Sequence, residues 1–79
     1  MGDIMYKNRI RDLREDNDLK QSDIAKLLNV HQTTYSDYEL GHLNVPVAAL
    51  NALADFYKVS VDYLLGRTDI STPYPKSRQ

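Results

Sequence analysis

The chain has 79 residues and a mass of 9.1 kDa, is 42% hydrophobic, and sets ten Lys and Arg against eleven Asp and Glu for a formal net charge of −1. That is one domain, apolar enough to fold and too short to combine a full core with a cleft that encloses a substrate. The absence of cysteine excludes disulfides and thiolate metal sites, and the near-neutral charge does not by itself announce a nucleic-acid partner.

No segment alternates apolar and polar residues over a strand length, so the chain reads as all-α with five helices. The first is expected over about 6–16, with Ile10 and Leu13 inward and Lys7, Arg11 and Glu15 outward. The polar run Asp16, Asn17, Asp18 ends it. The second, about 21–28, places Ile24, Ala25 and Leu28 on one face. Asn29 follows it, and Asn tolerates the left-handed conformation of a helix end better than other non-glycine residues. The third, about 32–40, stops at Gly41. The fourth, about 46–57, starts at Pro46 and carries the clearest period: Leu50, Leu53, Ala54, Tyr57. The fifth, about 61–65, has Ser60 as its N-cap and Asp62 in its first turn, and Gly66 closes it. The remainder, 67–79, is polar and is expected to be a mobile tail. The expected core is Ile10, Leu13, Ile24, Ala25, Leu28, Val30, Tyr35, Leu50, Leu53, Ala54, Val59 and Leu64.

No apolar run approaches the ~20 residues of a membrane span, and no basic n-region precedes an apolar stretch. A cytoplasmic protein without a membrane partner is therefore expected. His31 and His42 stand eleven residues apart without a ligand partner at metal-site spacing, so no metal is expected. No phosphate loop, H-E-x-x-H or G-x-S-x-G is present, so neither catalysis nor a cofactor is expected.

The informative stretch is QSDIAKLLNVHQTTYSDYELG, residues 21–41. Only Asn29, Val30 and His31 separate two short helices, which forces a steep crossing. Ala25 is small enough to allow close approach, and Val30 plugs the turn. This is helix-turn-helix geometry, whose second helix can enter a major groove. Gln32, Thr33, Ser36 and Asp37 share one face at i, i+1, i+4 and i+5, with Tyr35 and Tyr38 on the other side.

Four segments in order, RIRDLRED at 9–16, LKQSDIAKLLNV at 19–30, TTYSDYELG at 33–41 and ALADFYKVSVDYLLG at 52–66, resemble the Cro and lambda-repressor-like helix-turn-helix domains of bacterial and phage regulators, the xenobiotic response element family. With their loops they span 6–66. The resemblance implies that Gln32, Thr33, Ser36 and Asp37 meet base edges and that Gln21 contacts a DNA phosphate. It also implies that Arg14 and Glu39 form an internal ion pair between the first and third helices. Lys20 stands where the family usually has Ser or Thr, Tyr35 where isoleucine is common, and the loop at 42–45 lacks Lys and Arg. Between 20 and 46 there are two basic and three acidic residues. Further phosphate-facing cations are therefore sought at Lys20, Arg11, Arg9 and Lys7.

The expected function is a sequence-specific DNA-binding regulator, a repressor, acting as a homodimer on an inverted-repeat double-stranded DNA operator. It is expected to have no small-molecule ligand domain. The apolar run from Phe56 to Leu65 is dense for so small a core, so the dimer contact is placed at Phe56, Val61 and Leu64. The near-neutral reading face motivates an alternative: a protein-interaction module, antitoxin-like or an accessory subunit, on the same fold.

Overall fold

Capping chemistry sets the helix boundaries. A computed structural model describes residues 8–73 and has five helices among them: α1 (Ile10–Asp16), α2 (Gln21–Leu28), α3 (Gln32–Leu40), α4 (Val47–Tyr57) and α5 (Val61–Leu64). Helix α1 begins at Ile10, later than the periodicity suggests. Asn8 Oδ1 accepts the Ile10 N–H at 3.2 Å, and the Arg9 N–H donates to the Leu64 carbonyl at 2.8 Å. These bonds hold residues 8 and 9 in a turn before the helix. Tyr6 and Lys7 lie outside the described residues. Helix α2 has Lys20 at its N-cap, whose side chain has no acceptor to offer the first turn. The Asp23 carboxylate instead accepts the Lys20 N–H at 2.9 Å, which is one half of a capping box. Ser60 caps α5, its Oγ accepting the Tyr63 N–H at 3.0 Å. That helix ends at Leu64, one residue short of expectation.

All five helices end with the same motif. Asp18, Asn29, Gly41, Lys58 and Gly66 have positive φ, between 57° and 79°. The next residue then returns its N–H to the carbonyl five positions back: Leu19 to Arg14, Val30 to Ala25, His42 to Asp37, Val59 to Ala54 and Arg67 to Asp62. This is the 6→1 bond of a Schellman ending, which satisfies a carbonyl left open by the last turn. Short connections follow directly. The chain reverses within one to three residues of each helix end, and successive helices pack closely.

The core is Ile10, Ile24, Ala25, Tyr35, Tyr38, Leu50, Leu53, Ala54, Val59 and Leu64. Leu13, Leu28 and Val30 pack against it but are only partly buried. Tyr38 joins it because three residues after Tyr35 brings a helical side chain back to the same side. The two rings meet edge to face with centroids 6.4 Å apart.

The described part of the segment after Gly66 bonds back to the helices. The Ser60 N–H donates to the Ser71 carbonyl at 3.0 Å. Arg9 Nη2 donates to Asp69 Oδ1 at 2.7 Å and to the Thr68 carbonyl at 3.3 Å, and its guanidinium lies 4.4 Å from the Tyr63 ring centroid. A segment whose Ile70 side chain is left exposed is thus anchored by polar groups, a signal that hydropathy does not carry.

Candidate nucleic-acid interface

The turn between α2 and α3 is built by its own residues. Asn29 adopts the left-handed conformation at φ 58°, and Val30 closes the Schellman bond onto Ala25. Ala25 is buried and Val30 half-buried, so the turn has an apolar underside. His31 is extended at φ −69°, ψ 150° and opens α3 without a side-chain cap.

Helix α3 is then fixed from below. Tyr35 is fully buried. Beside it Glu39 meets Arg14 of α1 through two bonds, Nε to Oε2 at 2.6 Å and Nη2 to Oε1 at 3.2 Å. The side chains retain only 13% (Arg14) and 3% (Glu39) of their exposure. Gln21, at the start of α2, donates from Nε2 to Glu39 Oε1 at 3.1 Å, and Arg14 Nη1 donates to the Leu19 carbonyl at 2.9 Å. One carboxylate therefore joins α1, α2 and α3. Burial pushes the Glu39 carboxyl up, but the bonds from Arg14 and Gln21 outweigh it, so its pKa lies below the usual value. Burial and then the Glu39 carboxylate push the Tyr35 hydroxyl well above its usual range. Burial likewise raises Tyr57 to about 12, against the opposing influence of Arg14.

With the two tyrosines and Glu39 inward, α3 turns Gln32 and Thr33 fully outward, and Ser36 and Asp37 partly so. Its end is wrapped by the following loop: the His42 and Leu43 N–H groups both donate to the Asp37 carbonyl, at 2.9 and 3.3 Å. His42 Nδ1 also sits 3.5 Å from Asp37 Oδ1. A Schellman ending often places an apolar contact between these two positions; here a polar pair takes its place.

The comparisons agree with this geometry. The helix-turn-helix family model matches residues 10–64. The chain belongs to the helix-turn-helix family. It is 38% identical over 69 residues to the uncharacterized HTH-type transcriptional regulator YobD of Bacillus subtilis, covering 87% of this chain and 62% of that protein. It is 34% identical over 65 residues to the cryptic phage CTXphi transcriptional repressor RstR of Vibrio cholerae, covering 82% of this chain and 59% of that protein. The crystal structure of a transcriptional regulator from Listeria innocua superposes with a TM-score of 0.73 at 27% identity, covering 95% of this chain and 64% of that one. The chain thus spans about three-fifths of the length of these relatives.

Within the helix-turn-helix frame, the expected site residues fall into three groups. Gln32, Thr33, Ser36 and Asp37 lie together on the outward face of α3. Arg14 and Glu39 are joined, and Gln21 is joined to them. The cations are more scattered than expected: Arg11 Nε pairs with Glu15 Oε2 at 3.2 Å, Arg9 is held by Asp69, and Lys20 is exposed at the start of α2. Among the expected dimer residues, Phe56 is 46% exposed and Val61 partly so. Leu64 cannot serve there. It is 0% exposed in the chain's own core, where the sequence also places it.

Two features of the helix-turn-helix are not among the residues singled out from sequence. Leu40, the last residue of α3, is 56% exposed. Its spacing of i+7 from Thr33, i+4 from Ser36 and i+3 from Asp37 carries the signal. The Gln21–Glu39 bond has no sequence signature, since the two are 18 residues apart.

Proposed function

We propose that the chain is a sequence-specific DNA-binding repressor of transcription, working as a homodimer with α3 in the major groove of an inverted-repeat operator. One observation carries this reading: a polar arc of Gln32, Thr33, Ser36 and Asp37 is presented by a helix locked at its back by Tyr35, Tyr38 and the Arg14–Glu39–Gln21 network. Such an arc matches base edges in kind. Glutamine pairs bidentately with adenine, threonine offers a methyl to thymine, serine serves several bases, and a carboxylate accepts from cytosine N4. Gln21 at the start of α2, with Lys20 and Arg11, meets backbone phosphates. The names of the relatives, a transcriptional regulator and a phage repressor, point the same way.

Dimerisation follows from information content. One module reads a few base pairs, and two on a two-fold axis read enough to be selective, with recognition helices about 34 Å apart. Phe56 and Val61 supply the contact. Selection of bound sites from a random DNA pool tests the reading, with enrichment of an inverted repeat as the expected result. Failure to enrich any sequence, with a protein partner recovered instead, would favour an interaction module on the same fold; the near-neutral outer face is the observation behind that second reading.

A further inference from the structure

The residue nearest the middle of the outward arc of α3 is apolar. At about 100° per residue, Leu40 falls within about 20° of Thr33, between Ser36 and Asp37, and roughly opposite the Tyr35–Tyr38 side. It is 56% exposed while both tyrosines are buried. Helix α3 ends there, and Gly41 turns the chain away at φ 79°. The loop that follows is tied back to the Asp37 carbonyl by His42 and Leu43. The Leu40 side chain is therefore held on a rigid last turn beside Asp37. It stands about 10 Å along the helix from Thr33, a distance of about three base-pair steps.

We propose that Leu40 is a specificity-determining residue that packs on the C5-methyl of a thymine in the operator. This inference rests on the reading that α3 enters the major groove. The chemistry commits the partner. The major-groove edge of duplex DNA displays one apolar group, the thymine methyl. No Lys or Arg lies between residues 27 and 57 to hold a phosphate in its place, and His42 beside it faces Asp37. An exposed leucine on a reading face thus has one complementary group in the groove, and contact removes both apolar surfaces from water.

The test uses the operator selected from a random pool. Each thymine is replaced singly by deoxyuridine, which removes the methyl and keeps every hydrogen-bonding group. Dissociation constants are measured for the wild-type chain and for Leu40→Ala. Leu40 is largely exposed, so the variant keeps its fold, and unchanged thermal melting verifies this. One deoxyuridine position should weaken wild-type binding about fourfold, the worth of one buried methyl. The same replacement should have no effect on Leu40→Ala, which itself binds the intact operator several-fold more weakly. Identical deoxyuridine profiles for the two proteins, or unaltered operator binding by Leu40→Ala, would overturn the proposal while leaving the DNA-binding reading in place. Absence of any selected operator would overturn both.

Discussion

Glu39 is the residue on which the orientation of α3 depends. It is nearly sealed from water, and its two oxygens take bonds from Arg14 and Gln21. Removing one partner of a buried pair leaves a charge without compensation, so Arg14→Ala should cost about 3–5 kcal/mol in urea denaturation. Replacing both partners by apolar residues of similar volume, Arg14→Met with Glu39→Leu, should recover most of that loss. The pH dependence has a definite sign. The folded-state pKa of Glu39 is lowered, so its contribution is present above the ordinary carboxylate value of about 4.3 and disappears as pH falls through the depressed one. Glu39→Gln should flatten the acid limb of a stability–pH curve; an acid limb of unchanged steepness would assign it to other carboxylates. Gln32 and Gln21 are expected to divide in a binding assay. Gln32→Ala should weaken the preferred operator by about 1–3 kcal/mol and leave random DNA unaffected, whereas Gln21→Ala should weaken all sequences alike. Gln21→Ala should also lower stability, because it removes a donor from a buried carboxylate.

At the level of elements, the shared helix ending gives predictions of opposite sign. Gly41 has φ 79°, and a Cβ placed there would meet nothing within 4 Å. The cost of Gly41→Ala is therefore purely conformational, about 1–2 kcal/mol. Lys58 adopts the same left-handed conformation at φ 59° with a full side chain. Lys58→Gly should thus raise the melting temperature, while Lys58→Ala should leave it nearly unchanged. A drop with glycine would mean that the lysine side chain contributes more than its backbone strain costs. On α4, Leu53 is fully buried, and Leu53→Ala should cost about 2–5 kcal/mol according to how far the cavity collapses.

For the whole molecule, the arrangement of charge decides how DNA binding should respond to salt. Arg9 is committed to Asp69 and Thr68, and Arg11 is paired with Glu15. Lys20, and Arg11 if it exchanges Glu15 for a phosphate, leave about two to four phosphate contacts in a dimer. The slope of log K against log salt should then lie near −2 to −4. A slope near −8 in operator titrations would require cations beyond those on this face. The proposed dimer contact draws on Phe56 and Val61, the surface-accessible members of the expected set. Phe56 meets Tyr57 edge to face with centroids 5.0 Å apart. Sedimentation of Phe56→Asp with Val61→Asp should show a monomer, and a persistent dimer would place the two-fold elsewhere.

The number and order of the helices, the turn at Asn29, Val30 and His31, and the polar face of α3 were all readable from sequence. Each rests on contacts between residues at most about four apart, which periodicity and capping preferences encode directly. Gly41, Gly66 and Asn29 announced their left-handed endings by residue type; Lys58 adopts the same conformation without such a signal. The late start of α1 at Ile10 and the anchoring of residues 68–71 depend on bonds such as Arg9 to Leu64 and Arg9 to Asp69. Those partners are more than fifty residues apart, and no local pattern relates them. The same holds for Gln21, whose residue type fits phosphate contact but whose bond to Glu39 exists only once α2 and α3 have crossed. Local rules thus specified which surfaces the helices possess, and tertiary packing decided which of them remain outside.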